Sequence, residues 1–381
     1  MNKEYFHNLD ALRFFAFLSV FVSHAVLFFG YNNGTQGFAE LRKLFFVHGD
    51  LGVTFFFVLS GFLLTYLFLQ EKKNTGSINL KFFYKKRILR IWPVYMLTIV
   101  LGFFVTPLIA SFFDSGFGFN TTFDISSILW YLFFAGNLHM SFFSAPNLIV
   151  AILWFISAQE QFYLFWPTLL KYFSPKKILY SIIFIVLAST VFRFFYIYNY
   201  NLVHYFTVAL MSDIAIGALV ACAVEYSPRL KNKFVSLSKF QIAMIYIATL
   251  FFVPIKGILP DVLSGNIYRL VASSLPLVFA VLFAFVIIEQ TYATNSFFKF
   301  GKSKKLTYLG KISYGLYAYH IFALFIVQVF MKIIGMHTKY DDLATYAFVL
   351  VATFLTTILL AQISFKYMEK KFLKLKTQLI K

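Results

Sequence analysis

The chain has 381 residues, of which 60% are hydrophobic and 22% aromatic, but only 13% are charged. This composition excludes an ordinary soluble protein and is typical of a polytopic membrane protein. The formal net charge of +19 would suit a nucleic-acid-binding protein, but the positions of the basic residues indicate a membrane orientation instead. Cys222, the single cysteine, lies in an apolar run and is predicted to be a small core residue.

The first apolar segment carries Arg13 and His24, eleven positions apart. Their separation corresponds to about three helical turns, so both side chains share one helix face, about 16 Å apart. Ionisable groups in a membrane helix usually mark a pathway or a reaction centre. A histidine hydrogen-bonded to a carbonyl of a neighbouring helix is the structural alternative. Lys3 is the only lysine or arginine before the segment, and no cleavage site of small residues follows it. Both features favour a retained span over a signal peptide.

Apolar segments of spanning length recur along the whole chain. They lie at about 10–30, 48–69, 88–112, 148–171, 178–198, 205–225, 240–256, 269–291, 306–332 and 342–366. A further stretch at about 125–140 is too short and is predicted to be a surface or re-entrant piece. The predicted fold class is therefore all-α, with about ten transmembrane helices in a single domain over residues 1–381.

Lysine and arginine residues cluster between alternate predicted spans. The clusters lie at 72–90, 171–177, 229–239, 299–311 and 366–381. The intervening loops 113–124 and 199–204 contain no basic residue. The positive-inside rule therefore predicts that both termini lie in the cytoplasm. The predicted location is the inner or plasma membrane. The excess charge would then face anionic lipid headgroups or an anionic cytoplasmic ligand, and not nucleic acid.

Three ionisable residues on different predicted helices, His24, Glu160 and His320, lie at similar depths when depth is counted from the rise per residue. A buried glutamate near two imidazoles lowers the energetic cost of burying all three. Polar residues share these helix faces, with Ser157 and Gln161 beside Glu160, and Ser313 and Tyr317 beside His320. Such stripes either line a cavity or form an interhelical hydrogen-bond network.

Arg87 and Arg90 lie one turn apart near the cytoplasmic end of the third span. Their planar guanidinium groups suit a phosphate ligand, although simple anchoring explains a basic cluster at this position more readily. Asp213, in the middle of a span, has no expected role beyond a salt bridge or hydrogen bond to a neighbour. No spacing of ligand residues indicates a metal site.

Five sequence elements, in this order, resemble those of acyltransferase family 3, and the resemblance runs from Leu9 to about Glu369. The elements are Arg13 with His24, the stretch 52–64 containing FFFVLSGFLL, the basic stretch 83–95, WFISAQEQFY at 154–163, and ISYGLYAYH at 312–320. The chain departs from the family pattern at Thr54, where aspartate is common, at Gln159, where glutamate is common, and at Lys370–Lys371, where proline is frequent.

The resemblance implies a membrane enzyme that moves acyl groups from cytoplasmic acyl-CoA, with acetyl-CoA as the expected donor, onto extracytoplasmic glycans. The expected acceptor is a hydroxyl of a lipid-linked or surface polysaccharide. The residues that match the family motifs are expected to be catalytic (His24, Glu160, His320), to bind acyl-CoA (Arg13, Arg87, Arg90) or to support these (Asp10, Ser157, Ser313, Tyr317).

On this interpretation His24 deprotonates the acceptor hydroxyl or carries the acyl group itself. Glu160 orients or charge-balances an imidazole. His320, with Tyr317, is a second proton carrier or a hydrogen-bond donor to the thioester oxygen. Many relatives carry a fused extracytoplasmic hydrolase-like domain. This sequence contains none, so we expect either direct transfer or a separate extracytoplasmic transferase as a partner.

Two other classes of function remain open on the residues alone. Intramembrane His, Glu and Asp residues would also suit a proton-coupled transporter of a polar solute. The chain shows no repeated half, which argues against that class. A non-catalytic scaffold, in which the polar stripes only join helices, is the other alternative.

Overall fold

A computed structural model describes residues 6–29, 42–112, 125–335 and 343–378. These residues are mostly helical and contain no β-strand. Ten helical segments within them are long and apolar enough to cross a membrane, which confirms the predicted all-α, multi-pass architecture. The loop 113–124 and the terminal Lys3 and Lys381, on which part of the charge pattern depends, lie outside the described residues. The cytoplasmic placement of the termini stays a prediction.

The α-helices are numbered in chain order. They are α1 His7–Phe29, α2 Gly49–Thr75, α3 Leu80–Val100, α4 Thr106–Ala110, α5 Ile125–Leu132, α6 Gly136–Phe142, α7 Leu148–Ala151, α8 Trp154–Tyr172, α9 Pro175–Tyr196, α10 Tyr200–Tyr205, α11 Thr207–Tyr226, α12 Pro228–Val235, α13 Lys239–Val262, α14 Gly265–Tyr292, α15 Lys304–Lys311, α16 Ser313–Ile333, α17 Leu343–Ser364 and α18 Lys370–Gln378. Short π-helical segments lie at Arg42–Phe46, Leu101–Val105 and Phe365–Glu369, and a 3₁₀ turn at Phe300–Lys302.

Each predicted span corresponds to one of the ten long helical segments. The predicted ninth span began too early, because α15 is a separate basic helix that ends at Lys311, and α16 begins at Ser313. The stretch 125–140 forms the short helices α5 and α6, as expected for a piece that does not cross the membrane. Phe134, in the turn between them, has a positive φ of 55°.

The helices form two compact units. Unit 1 comprises Met1–His24, Gln36–Ile78 and Phe162–Lys311, and unit 2 comprises Ala25–Thr35, Asn79–Gln161 and Ile312–Lys381. Most of α1, all of α2 and the helices α9–α15 therefore belong to unit 1. Unit 2 contains α3–α7, the first part of α8, and α16–α18.

In unit 1, α2 and α11 pack closely through two glycines. A Cβ atom on Gly61 would lie 1.9 Å from the carbonyl oxygen of Ile214, and one on Gly217 would lie 2.0 Å from that of Val58. Contacts this short require hydrogen at both positions, because the obstructing atoms belong to the helix backbone. Small residues at membrane-helix crossings allow this approach and the dispersion contacts that it brings.

Replacing Gly61 with leucine should destabilise the protein by about 3 kcal/mol or more, because the side chain would force α2 and α11 apart. The measurement is the yield and melting temperature of the detergent-solubilised protein by fluorescence-detected size-exclusion chromatography. Ala344→Leu enlarges an exposed small side chain on α17 and should leave both unchanged. Equal yield and melting temperature for the two variants would contradict the close crossing.

A buried ion pair joins α9 and α11 in unit 1. The side chain of Arg193 is 2% exposed, and its NH1 atom lies 3.9 Å from Oδ1 of Asp213. The hydroxyl groups of Thr54 and Ser212 donate to the two carboxylate oxygens at 3.0 and 2.9 Å. Asp213 thus has both the salt bridge and the hydrogen bonds that were its expected role. Cys222, on the same helix α11, is buried with a free thiol, as predicted.

In unit 2, polar side chains fix the short elements to the long helices. Gln161 donates to the carbonyl of Phe134 at 2.9 Å and to the side chain of Asn137 at 2.8 Å, which holds the turn between α5 and α6. Asn147 caps α7 and donates to the carbonyl of Gly102 at 3.1 Å. Buried backbone carbonyls outside regular hydrogen bonding are satisfied in this way, as an apolar surrounding requires.

Candidate active site

Arg13 is held in place by its neighbours at the start of α1. Its guanidinium forms an ion pair with the buried carboxylate of Asp10, one turn earlier. Helix α15 crosses at the same point, since a Cβ atom on Gly310 would lie 1.7 Å from the carbonyl oxygen of Asp10. Asp10 therefore positions the Arg13 side chain, and the supporting role expected for Asp10 in the reaction stays a prediction.

His24 lies on the same helix as Arg13, as predicted, and meets the first turn of α2. A Cβ atom on Gly49 would lie only 2.7 Å from Cβ of Ser23, so the backbone of α2 begins directly beside the residue before His24. The His24 imidazole interacts electrostatically with the imidazole of His204. His24 thus has a second histidine within electrostatic range in unit 1.

His204 connects His24 to a charged pair. It interacts electrostatically with Asp50, at the start of α2, and with Lys256, on α13. The ammonium of Lys256 forms an ion pair with the Asp50 carboxylate. His24, His204, Asp50 and Lys256 thus form a chain of ionisable groups, which we term the His24 cluster. Asp50 and His204 lie close to helix ends that the charge pattern places on the extracytoplasmic side.

Three members of the His24 cluster, Asp50, His204 and Lys256, were not predicted from the sequence. A signal was available, because Asp50 and His204 are ionisable residues close to the extracytoplasmic ends of the predicted spans 48–69 and 205–225. A second charged pair at the same ends of unit 1 joins Lys43 to Asp261. Both lysines are neutralised by aspartates, which reconciles them with a side of the membrane that is otherwise poor in basic residues.

In unit 2, Arg87 and Glu160 form an ion pair. Nε and NH2 of Arg87 lie 2.7 and 2.6 Å from Oε1 of Glu160, and the side chains are 16% and 17% exposed. These two residues were expected to act separately, one on a phosphate and the other on an imidazole. The structure instead joins α3 to α8 through them. Glu160 belongs to unit 2 and His24 to unit 1, so the alignment of His24, Glu160 and His320 in depth stays a prediction.

Arg90 has an acidic neighbour of its own, because it interacts electrostatically with Glu369 at the end of the last π-helical segment. Tyr314 interacts electrostatically with both Glu160 and Glu369, and its hydroxyl donates to the carbonyl of Ile91 at 2.9 Å. Each of the three arginines expected to bind the donor thus has an acidic partner, which is Asp10 for Arg13, Glu160 for Arg87 and Glu369 for Arg90. Tyr314, between the two glutamates, was not among the expected site residues.

The imidazole of His320 is buried, and its Nδ1 lies 2.6 Å from the carbonyl oxygen of Tyr317. Because a carbonyl can only accept a hydrogen bond, Nδ1 carries a proton, and Nε2 is the basic nitrogen of the neutral ring. The Tyr317 hydroxyl donates to the carbonyl of Ile152 at 2.8 Å. The Tyr317 hydroxyl proton is therefore used in a hydrogen bond that joins α16 to the turn before α8.

Ser157 and Ser313 are both buried in unit 2. The Ser157 hydroxyl donates to the carbonyl of Leu153 at 3.1 Å and lies 3.3 Å from the Tyr95 hydroxyl, which donates to Tyr131. Ser313 is the first residue of α16. Of the two arrangements expected for the polar stripes, a cavity lining or an interhelical hydrogen-bond network, Ser157 and Tyr317 form the network.

Among the described residues, no group of three His, Cys, Asp or Glu side chains is placed to hold a metal ion. What the two groups of side chains offer chemically is acid–base and anion-binding capacity. Unit 1 has two imidazoles beside further ionisable groups, and unit 2 has two guanidinium groups and an imidazole whose Nε2 can accept a proton.

Comparison with known protein families is consistent with this chemistry. A family described as "Acyltransferase domain" matches residues 6–362, which includes the His24 cluster and the arginines of unit 2. The chain belongs to acyltransferase family 3. The resemblance inferred from the five sequence elements is thereby confirmed, and family membership extends over almost the whole chain.

The curated proteins to which the chain is similar include several from Staphylococcus aureus. The chain is 26% identical over 392 residues to a protein of strain COL that is provisionally named an O-acetyltransferase. It is 25% identical over 391 residues to O-acetyltransferase OatA of strain NCTC 8325 / PS 47. Each alignment covers 97% of this chain but 58% and 57% of the relative, so the chain spans less than three fifths of these relatives. No solved structure matches the chain.

Proposed function

We propose that this protein transfers an acetyl group from acetyl-CoA, on the cytoplasmic side of the inner or plasma membrane, to a hydroxyl of a cell-surface or lipid-linked polysaccharide. The observation that carries the proposal is the family match over residues 6–362. The names of the relatives, O-acetyltransferases, support the choice of the acetyl group and of an oxygen acceptor. A separate extracytoplasmic transferase remains a candidate partner.

In the proposed reaction, His24 accepts the proton of the acceptor hydroxyl as its oxygen attacks the thioester carbon. The C–O bond forms, the C–S bond breaks, and coenzyme A leaves as a thiolate that takes up the proton. An acetyl-imidazole on His24, formed first and then attacked by the hydroxyl, gives the same balance. His204, Asp50 and Lys256 adjust the charge around His24 in either case.

The arginines bind the anionic donor in this proposal. A guanidinium presents five N–H donors, and Oε1 of Glu160 lies against Nε and NH2 of Arg87, so a phosphate would share the guanidinium with the carboxylate or replace it. Glu160 then acts through Arg87 as a positioning residue. His320 accepts a proton at Nε2, which suits a proton carrier better than a donor to the thioester oxygen, because Nδ1 already donates to Tyr317.

The experiment that tests the function is transfer of radiolabelled acetyl from acetyl-CoA by the full chain reconstituted in lipid nanodiscs. Cell-envelope glycan is supplied as acceptor, and base-labile O-acetyl groups on the glycan are counted. Label that appears only with both protein and glycan supports the proposal. Absence of label, combined with uptake of a polar solute by proteoliposomes without acetyl-CoA, would support the transporter hypothesis instead.

Replacing Arg87 or Arg90 with glutamine should raise the KM for acetyl-CoA roughly tenfold or more, the effect of losing one charge-assisted hydrogen bond to a phosphate. The measurement is the transfer rate as a function of acetyl-CoA concentration. Acetyl-dephospho-CoA provides the control for assignment, because an arginine that binds the 3′-phosphate should show no further loss with this donor. Lys81→Gln, which removes a cation from the same helix, should leave the KM unchanged.

A further inference from the structure

A cleft opens on the surface of unit 1 where α9 ends and α10 begins. Its volume is about 510 Å³, within the range of small-molecule binding sites. It is lined by Phe195, Tyr196, Tyr198, Asn199, Tyr200 and Asn201. The charge pattern places this turn on the extracytoplasmic side, where an acceptor glycan would be. None of the residues that line the cleft is charged.

The lining of the cleft combines aromatic faces with amide groups. Tyr198 is 62% exposed, yet its ring is supported by the ring of Tyr268 at 6.0 Å and by the guanidinium of Arg269 at 5.0 Å. Asn199 accepts a hydrogen bond from the backbone N–H of Leu202 at 3.1 Å, which caps α10 and directs its amide nitrogen away from the helix. The aromatic and amide groups are thus partly ordered before any ligand binds.

The cleft adjoins the His24 cluster through Tyr200. The ring of Tyr200, which lines the cleft, stacks on the imidazole of His204 at 4.9 Å with an interplanar angle of 13°. His204 in turn interacts with His24 and Asp50. A ligand in the cleft would therefore lie one aromatic ring away from the ionisable groups that the proposed reaction uses.

We propose that this cleft is the acceptor subsite and that it binds a carbohydrate ring. An aromatic face attracts the weakly positive C–H groups on one side of a pyranose ring, because the face of the π-system is electronegative. The amides of Asn199 and Asn201 supply donors and acceptors for the hydroxyl groups at the edge of the sugar. A phosphorylated headgroup would instead favour cationic lining residues, which the cleft lacks. The subsite rests on the proposed function for its role as acceptor site, but its binding of sugar is tested separately.

The test is saturation-transfer difference NMR on the full chain in nanodiscs, with two neutral probes, cellotetraose and the tetrasaccharide of β-1,4-linked N-acetylglucosamine. Wild type should transfer saturation to at least one of them. Tyr198→Ala and Asn201→Ala should each weaken this binding several-fold, roughly five- to tenfold, because each removes a contact in the lining. Tyr180→Ala, which removes a similarly exposed tyrosine from α9 outside the cleft, should bind as wild type does.

Failure to bind either sugar, or equal binding by wild type and Tyr198→Ala, would overturn the subsite. Binding of glycerophosphocholine alone, lost in Tyr198→Ala, would also overturn it and assign the cleft to lipid headgroups. Sugar binding that depends on Tyr198, without acetyl transfer from acetyl-CoA, would retain the subsite and refute the proposed function. Acetyl transfer to glycan that is unaffected by Tyr198→Ala would retain the function and refute the subsite.

Discussion

Replacing Asp213 with alanine should destabilise the protein by about 3–5 kcal/mol, the usual effect of removing one partner of a buried ion pair. The guanidinium of Arg193 would remain buried without its counter-ion. Its bonds to the carbonyls of Ala209 and Ser273, at 2.9 and 3.0 Å, would hold the group in place but would not neutralise it. The Thr54 hydroxyl would also lose its acceptor. The measurement is the melting temperature of the protein in detergent, together with the folded yield.

Two controls separate this effect from a general loss of a salt bridge. Lys43→Met removes a partner of the exposed pair with Asp261, whose side chains are 42% and 55% exposed, and should change stability by less than about 1 kcal/mol. The double variant Arg193→Leu, Asp213→Leu removes both charges and should recover much of the stability lost in Asp213→Ala. Equal melting temperatures for Asp213→Ala and Lys43→Met would refute a structural role for the buried pair.

The buried pair of Arg193 and Asp213 explains why threonine suits position 54, where aspartate is common in the family. Thr54 lies one helical turn after Asp50 and donates to the Asp213 carboxylate at 3.0 Å. An aspartate at 54 would place a second carboxylate against Asp213, where a single guanidinium is available to balance both. Like charges in a medium of low dielectric constant repel strongly. A hydroxyl donor at 54 is therefore the better match to Asp213 and Arg193.

The fold followed closely from the sequence because one quantity decides it. The length of an apolar segment determines whether it can cross a membrane, and all ten predicted segments have spanning helices at their positions. The error lay at Ile312, where an apolar pattern runs on through the junction between the basic helix α15 and α16. Gly310 packs closely against the backbone of Asp10 just before this boundary, a contact that hydrophobicity does not reveal.

The partners of the candidate site residues could not be predicted in the same way. Glu160 pairs with Arg87, which is 73 positions away in the chain, and His24 interacts electrostatically with His204 on another helix. Such pairs depend on how each helix is rotated about its axis and on which helices are neighbours. Hydropathy and the positions of charged residues indicate the depth of a residue in the membrane. They do not indicate how a helix is rotated or which helices are its neighbours, so residues at equal depth could not be distinguished from residues in contact.

Replacing His24 with glutamine should lower the rate of acetyl transfer by roughly 10²–10⁴-fold while the protein inserts and melts as wild type does, since this is the usual contribution of a general base. His7→Gln is the matched control, because it changes an exposed histidine on the same helix α1. Asp50→Asn should have a smaller effect on the rate, since the Asp50 carboxylate interacts with His204 and Lys256 and acts on His24 only through His204. Substantial acetylation of glycan by His24→Gln would remove His24 from the reaction.

The same variant distinguishes direct transfer from transfer through an acetyl-enzyme. Radiolabelled acetyl-CoA is added without acceptor, and label bound to the protein is measured after rapid denaturation. Label on wild type that is absent from His24→Gln indicates an acetyl group carried at His24 or passed through it. Label on neither protein, with wild type still acetylating glycan, indicates a direct attack in a ternary complex, with His24 as the base. Equal label on both proteins indicates that the acetyl group is carried by another residue. His24 would then act only in the second half of the reaction, the transfer from the acetylated protein to the acceptor.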